Sequence, residues 1–150
     1  MRKIIYVDMD GVLCDYQSAF EEAIQLNPKI AFPQSQFDFY RKLKPIQNAI
    51  ESVKLLLQKD SFEIYILTAP SIYNPMSYTE KRIWIEDYFG IEMVEKLIIS
   101  PNKSLLKGDY LIDDSKEGRG QENFEGELIH FGSEPFPNWK MILSYFDQMC

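Results

Sequence analysis

Two pairs of aspartates each follow a short apolar run, and together they could do chemistry on a phosphate group. The first pair, Asp8 and Asp10, ends the run IIYV and is followed by Gly11, which permits a sharp turn. The second pair, Asp113 and Asp114, ends the run YLI much later in the chain. Four carboxylates brought together would repel one another unless they were protonated or neutralised by a cation. Because these ligands offer only oxygen, the pattern favours Mg²⁺ over Zn²⁺.

Each pair also has an ordinary structural interpretation when it is taken alone. Asp10 with Gly11 could form a simple turn, and Asp113 with Asp114 could cap a helix. The functional interpretation depends on the combination, since both pairs follow a run that predicts a buried strand. A metal site made of carboxylates does not by itself name a reaction.

Three other side chains could bind a phosphate that the aspartates alone would repel. Thr68 ends another apolar run and offers a hydroxyl and a backbone N–H. Lys81 and Lys103 offer the positive charge that phosphate chemistry beside carboxylates requires. For Lys81, which lies in a predicted helix, a solvent-exposed position without function is the simpler alternative.

The elements that must position these residues can be read from short apolar runs and from helical periodicity. Five runs predict strands at 3–8, 63–68, 97–100, 110–113 and 127–131. Helices are predicted between and around them, at 16–26, 46–59, 77–90 and 138–149. This alternation indicates an α/β fold, a three-layer, Rossmann-like parallel sheet. In such sheets ligands bind beyond the carboxyl ends of the strands, where Asp8, Thr68 and Asp113 would lie.

One segment interrupts the alternation. After the first strand, residues 16–45 form a predicted helix and an irregular stretch, which we interpret as a small insert over the edge of the sheet within a single domain of residues 1–150. The insert is rich in aromatic residues: Tyr16, Phe20, Phe32, Phe37, Phe39 and Tyr40. They could form a stacking surface for a ligand, but packing against the sheet is the simpler interpretation for most of them.

Composition excludes several classes of function. The net charge of −7 disfavours binding to nucleic acid polymers or anionic membranes. No segment approaches the length of a transmembrane helix, and the N-terminal run meets acidic residues too soon for a signal peptide. Cys14 and Cys150 lie far apart in sequence, which favours free thiols and a cytoplasmic protein. With His130 as the single histidine, histidine-based metal sites are disfavoured.

The order of these residues resembles the haloacid dehalogenase (HAD) superfamily of phosphotransferases. The segment DMDGV at 8–12 resembles its first motif, Thr68 its second, Lys103 its third and Asp113-Asp114 its fourth. A lone D-x-D-G would be weak, but the combination is specific. The chain is more closely similar to the 5'(3')-deoxyribonucleotidases of that superfamily, through the segments DMDGVLCDY, KPIQNAIESVKLL, ILTAPS, EKRIWIEDYFG and YLIDD.

This resemblance implies a HAD-like core with a short cap insert, and removal of phosphate from deoxyribonucleoside monophosphates. Asp8 would attack phosphorus to form an aspartyl-phosphate, and Asp10 would act as general acid and then general base. Mg²⁺ would be bound by the Asp8 carboxylate, the Asp10 backbone carbonyl and Asp114, with Asp113 in support. The resemblance also implies a homodimer, by analogy alone.

The resemblance further assigns Thr68, Lys81 and Lys103 to the phosphate oxygens and Tyr16 to the sugar or base, where an aromatic face suits stacking. The chain departs from the family in two places. Ala69 follows Thr68 where related enzymes carry a serine, and the insert is markedly shorter than the helical cap of those enzymes. Phosphatase chemistry is therefore better supported than specificity for nucleotides.

Two alternatives to a deoxyribonucleotidase follow from these departures. One is a HAD phosphatase that acts on another small sugar or metabolite phosphate, since a short insert would leave a more open site. The other is a non-catalytic phosphate-binding module that retains the fold and the metal. The intact pair of Asp8 and Asp10 argues against the second alternative, because such modules usually lose the nucleophile.

Overall fold

The structure, a computed structural model, describes residues 1–150 and is built around a five-stranded parallel sheet. The strands are β1 (Lys3–Val7), β2 (Phe62–Thr68), β3 (Leu97–Ile99), β4 (Tyr110–Asp113) and β5 (Glu127–His130). Their order in the sheet is β3-β2-β1-β4-β5, and every neighbouring pair is parallel. The predicted α/β class and parallel sheet are confirmed, and each predicted strand ends within one residue of the observed bounds.

Five α-helices accompany the sheet: α1 (Tyr16–Leu26), α2 (Ala49–Leu57), α3 (Met76–Phe89), α4 (Ile91–Val94) and α5 (Trp139–Asp147). Three short 3₁₀ turns occupy Pro33–Ser35, Lys103–Leu105 and Gln121–Asn123. None of these helices has both the length and the apolar character that crossing a bilayer would require.

The predicted start of the second helix near Pro45 was wrong, because that stretch pairs with another part of the chain. Pro45 forms an isolated bridge with Cys14, and the Ile46 N–H donates to the Leu13 carbonyl at 2.8 Å. The backbone is therefore held in an extended form there. The helix begins only at Ala49.

The buried face of α3 also differs from the predicted one. The apolar spacing within 77–90 would place Tyr78, Ile85 and Phe89 near one buried face, yet Tyr78 is 43% exposed and Phe89 is only partly buried. The residues that α3 buries are Ser77, Glu80, Lys81, Trp84 and Ile85. Apolar periodicity failed here because the helix buries polar side chains that have specific hydrogen-bond partners.

The two faces of the sheet carry unequal cores. Ile5 and Val7 of β1 face a large cluster that includes buried side chains from α2, α3 and α5. Tyr6 faces the opposite side, where a smaller cluster contains Leu67, Leu111 and Phe124. On that side the outer layer contains the 3₁₀ turns on either side of β4. The functional loops of the fourth strand therefore lie directly against the sheet.

The topology places the ends of β1 and β4 side by side. The chain passes from β1 outward to β2 and β3, and then returns to form β4 on the other side of β1. Val7 lies beside Ile112 in the parallel register, so Asp8 and Asp113 follow at adjacent positions. A reversal of strand order of this kind opens a crevice at the carboxyl ends of the strands, which is where ligands bind in open α/β sheets.

Glu80 of α3 ties the insert to the core. Its carboxylate is buried and accepts hydrogen bonds from the backbone N–H groups of Asp38, Tyr40 and Arg41, at 3.1, 3.1 and 3.4 Å. These three donors lie in an irregular stretch that has no regular secondary structure to satisfy them. The contacts fix the end of the insert, including the Tyr40 ring, relative to α3.

We expect Glu80→Ala to lower the free energy of unfolding by about 1–3 kcal/mol, because it leaves backbone donors without partners. Urea denaturation measures this change. Glu86→Ala provides the control, since Glu86 lies on the same helix in a half-exposed pair with Arg82 and should shift stability by less than about 0.5 kcal/mol. Equal losses in the two variants would contradict this role for Glu80.

Candidate active site

A cavity of about 350 Å³ opens at the carboxyl edge of the sheet, above β1 and β4. This volume lies within the range of small-molecule sites, about 300–1,000 Å³. Every site residue predicted from the sequence except Lys81 lines it. The lining residues are Asp8, Asp10, Tyr16, Gln34, Tyr40, Thr68, Ala69, Pro70, Ser71, Lys103, Asp113, Asp114, Ser115, Arg119 and Gln121.

Lys103 joins the ends of β1 and β4 at the floor of the cavity. Its buried Nζ lies 2.8 Å from Asp8 Oδ1 and 2.6 Å from Asp113 Oδ2. The residue begins a 3₁₀ turn that is capped by Asn102, whose side-chain oxygen accepts from the Ser104 N–H at 3.1 Å. An ammonium group has three donors, and two are used here. The third remains for a ligand in the cavity.

Asp113 and Asp114 are held differently, although they are neighbours in sequence. Asp113 Oδ1 accepts from the Ser115 N–H at 2.9 Å, and its Oδ2 accepts from Lys103 and, at 3.3 Å, from Gln121 Nε2. Asp114 is the more exposed of the two. Asp8, Asp113 and Asp114 each offer one oxygen within 4.8 Å of the others. This all-oxygen donor set fits a hard divalent cation.

Gly11 allows Asp114 to reach this cluster. Its φ of +81° is unfavourable for any residue with a side chain, and a Cβ at this position would overlap the Asp114 carboxylate. The backbone turn after Asp10 and the approach of Asp114 therefore both require glycine. This explains why glycine follows the first pair of aspartates.

Lys81 lies behind the cavity wall, where it holds Asp10 in place. Its Nζ lies 2.9 Å from Asp10 Oδ2, 2.7 Å from Thr68 Oγ1 and 2.8 Å from the Ala69 carbonyl. It also lies 5.0 Å from the centre of the Tyr40 ring, which suits a cation–π contact. The alternative of a solvent-exposed lysine was wrong, because Lys81 is 1% exposed.

The same contacts bear on the predicted roles of Lys81 and Asp10. All three donors of Lys81 are already used within the protein, so a phosphate contact would require it to release a partner. That contact stays a prediction. On Asp10, Lys81 occupies only Oδ2, whereas Oδ1 is buried and has no hydrogen-bond partner. One oxygen of Asp10 therefore has a hydrogen-bonding capacity that the protein itself does not use.

Burial and like charge make the ionised form of the cluster costly. Burial raises the pKa of Asp8 well above its ordinary value, an effect that Lys103 opposes and the Asp113 carboxylate reinforces. Burial, followed by the charge of Asp113, also raises the pKa of Asp114. A bound divalent cation would favour the ionised form of both groups.

The insert also forms part of the cavity wall. Tyr16 lies there with its ring packed edge-on against Phe39, and Tyr40 lies beside it. Gln34 also lines the wall, and its Oε1 is buried without a hydrogen-bond partner. The Gln34 backbone is fixed by Asn74, whose Nδ2 donates to its carbonyl at 2.9 Å.

Sequence reasoning missed several lining residues, chiefly those on irregular segments. Gln34, Ser71, Arg119 and Gln121 lie in loops or short turns, where spacing predicts neither direction nor burial. Tyr40 was noted among the aromatic residues of the insert but was given no individual role. Its position depends on Glu80, a long-range contact that carries no sequence signal.

The fold and the acidic site define a class of protein, the HAD-like α/β proteins. The structure is similar to that of L-2-haloacid dehalogenase from Xanthobacter autotrophicus, with a TM-score of 0.56 over 85% of this chain and 76% of that protein. The two sequences are only 12% identical, so the likeness concerns the fold alone.

The sequence comparisons identify the family within that class. Residues 25–138 match the family of 5' nucleotidase, deoxy (pyrimidine), cytosolic type C protein (NT5C). The chain therefore belongs to this family, which confirms the resemblance found in the sequence. A protein of Vibrio phage KVP40, whose name provisionally assigns it to the 5'(3')-deoxyribonucleotidases, is 37% identical over 96% of this chain and 84% of its own length. The human cytosolic-type 5'(3')-deoxyribonucleotidase is 27% identical over 93% of this chain and 78% of that protein.

We expect Asp8→Asn to stabilise the metal-free protein at neutral pH. Burial raises the pKa of Asp8 in the folded state well above its ordinary value. The free energy of unfolding of the wild type therefore falls as the pH rises from about 4 towards the raised pKa. Asp8→Asn removes the cost of ionising this buried group, so the free energy of unfolding should rise by about 1 kcal/mol. The melting temperature should rise by about 2–4 °C.

Thermal unfolding in EDTA, at neutral pH and near pH 4, measures this effect, and the advantage of Asp8→Asn should shrink at the lower pH. Adding Mg²⁺ should reverse the order of the two proteins at neutral pH, because a ligand that binds the folded state stabilises it. A lower melting temperature for Asp8→Asn than for the wild type in EDTA at neutral pH would contradict the expectation.

Proposed function

We propose that this protein is a Mg²⁺-dependent phosphomonoesterase that hydrolyses deoxyribonucleoside monophosphates to deoxynucleosides and phosphate. The observation that carries the proposal is the meeting of Asp8, Asp10 and Asp114 at one small cavity. Membership of the deoxyribonucleotidase family supports the choice of substrate.

In the first chemical step, an Asp8 carboxylate oxygen attacks phosphorus and forms an aspartyl-phosphate. The bond between phosphorus and the ester oxygen breaks, and Asp10 transfers a proton to the departing alkoxide to give the free nucleoside. Lys103 holds Asp8 Oδ1 at 2.8 Å. That contact leaves Oδ2 as the attacking oxygen and fixes its direction.

In the second step, water attacks the phosphorus of the aspartyl-phosphate while Asp10 removes a proton from it. The bond from phosphorus to Asp8 breaks, and inorganic phosphate and the original carboxylate are formed. Asp10 has then regained the proton that it lost in the first step. Acid–base assistance of this kind is typically worth about 10²–10⁴-fold in rate.

The carboxylates of Asp8 and Asp114, with Asp113 in support, would hold the Mg²⁺ ion that neutralises charge on the phosphate when it is bound. Asp113 is already engaged by Lys103 and by Gln121. Asp114 has the freer carboxylate, so we assign it the direct ligand role. Thr68 and the third donor of Lys103 face the cavity and would bind phosphate oxygens.

The insert would act as a small cap that binds the nucleoside. Tyr16 and Tyr40 line the cavity, and their aromatic side chains would pack against a base or sugar. Gln34 adds an amide with an unpaired buried oxygen, which can accept a hydrogen bond from an N–H or O–H of the substrate. These neutral groups would contact the nucleoside, whereas the acidic cluster and Lys103 would contact its phosphate.

We expect phosphate release from dUMP and dTMP to exceed that from sugar phosphates, and to be lost in EDTA and restored by Mg²⁺. Asp8→Asn should reduce kcat by more than about 10³-fold, since it removes the nucleophile, whereas Glu86→Ala should match the wild type.

An equal rate for all phosphomonoesters would favour a general metabolite phosphatase. A folded protein that binds Mg²⁺ and phosphate but releases none would indicate a binding module.

Gln34→Ala should reduce kcat/KM for nucleotides by about 5- to 50-fold, because a substrate N–H or O–H loses its acceptor. The rate with para-nitrophenyl phosphate, which has no nucleoside, should change by less than about 2-fold. Gln36→Ala is the control, since Gln36 is exposed and lies outside the cavity. A parallel loss with both substrates would rule out a nucleoside contact for Gln34.

A further inference from the structure

Arg119 is a cation of the cavity wall that has no acidic partner. The structure contains seven ion pairs, and none includes Arg119. The two lysines of the site differ in this respect, because Lys81 is paired with Asp10 and Lys103 with Asp8 and Asp113. Arg119 is half-buried and lines the same cavity as four aspartates, yet it forms an ion pair with none of them. Its charge is therefore not used within the protein and is available to a ligand.

The backbone around Arg119 is held firmly on both sides. Its N–H donates to Gln121 Oε1 at 2.7 Å, and its carbonyl accepts from the Lys103 N–H at 2.6 Å. Gln121 in turn donates to Asp113. Arg119 is thus tied, through its own main chain, to the residues that hold the acidic cluster.

Two glycines shape this turn. Gly118 and Gly120 flank Arg119, with φ values of +103° and +87°, a region that side chains disfavour. A Cβ on Gly120 would overlap the Asn102 side chain and crowd the Lys103 backbone. The glycine-arginine-glycine sequence therefore brings the Arg119 main chain against the turn that carries Lys103.

The charges of the site call for one more cation when substrate binds. The site contains Asp8, Asp10, Asp113 and Asp114, with Lys81 and Lys103 as partners. With Asp10 protonated for the first chemical step, a divalent metal ion and the two lysines would exceed the three ionised carboxylates by one positive charge. A phosphomonoester carries a charge of about −2 at neutral pH, so about one negative charge would remain uncompensated, and it would lie close to carboxylates that repel it.

We propose that the Arg119 guanidinium binds the non-bridging oxygens of the substrate's phosphate, as a further substrate-binding residue beside Lys103. The planar fork of an arginine can donate two parallel hydrogen bonds to a phosphate, which a lysine cannot do. This inference rests on the proposed function and names a residue that binds the group that reacts. It predicts that the contribution of Arg119 is the same for every phosphomonoester, whatever the leaving group.

Inorganic phosphate in the presence of Mg²⁺ is the probe, and calorimetry measures its dissociation constant. We expect Arg119→Ala to weaken phosphate binding by about 10- to 100-fold, as expected for loss of charge-assisted hydrogen bonds. Arg119→Lys should recover only part of the affinity. The backbone bonds of Arg119 persist in both variants, so their melting temperatures should stay close to the wild-type value.

Lys116→Ala is the matched control, because Lys116 is an exposed cation of the same loop that does not line the cavity. It should leave phosphate affinity within about 2-fold of the wild type. In turnover assays, Arg119→Ala should lower kcat/KM by a similar factor for dUMP and for para-nitrophenyl phosphate.

The proposal would be overturned if Arg119→Ala bound phosphate as tightly as Lys116→Ala does. It would also be overturned if the wild-type protein bound no phosphate. Failure of the proposed function gives a different result. In that case the wild type would bind phosphate and Arg119→Ala would weaken that binding, but the wild type would hydrolyse no nucleotide.

Discussion

Repulsion among buried carboxylates is the constraint on which the rest of this structure depends. The register of β1 and β4 places Asp8 beside Asp113, and Gly11 admits Asp114 to the same small volume. The Lys103 ammonium neutralises part of this negative charge through its ion pairs with Asp8 and Asp113. Burial, reinforced by the negative charge that remains, raises the pKa values of Asp8 and Asp114. The same excess of negative charge fits a divalent cation. The fold thus maintains a cluster that is unfavourable by itself and that would become favourable on binding of the proposed metal ion and phosphate.

The second lysine shows how the catalytic floor and the insert are connected. Lys81 holds Asp10 and Thr68, and its ammonium also lies over the Tyr40 ring. The preceding residue, Glu80, fixes the backbone around Tyr40 from the same helix. Two consecutive side chains of α3 therefore position two residues that line the cavity, Asp10 and Tyr40. Because Glu80 and Lys81 each hold residues outside the helix, α3 buries charged side chains where most helices bury apolar ones.

The parts of the structure that were predictable from sequence are those governed by periodicity or by a short motif. Strand ends followed from apolar runs, and the meeting of Asp8 with Asp113 followed from the rule that parallel strands share an edge. The burial of Lys81 could not be predicted, since it depends on partners distant in sequence. Arg119 lies in a loop, where spacing does not specify direction. The start of α2 was misplaced because Pro45 pairs with Cys14, a contact with no local signal.

The two ends of the cavity must achieve selectivity in different ways. At the floor, paired charges fix the side chains, so recognition of phosphate is largely independent of the rest of the substrate. At the insert, the lining groups are neutral, so discrimination must come from shape and from hydrogen bonds. A buried acceptor without a partner, such as Gln34 Oε1, favours substrates that supply a donor and disfavours those that do not, because an unmatched polar group remains costly. A short insert can therefore retain specificity for a nucleoside if one or two such atoms are correctly placed.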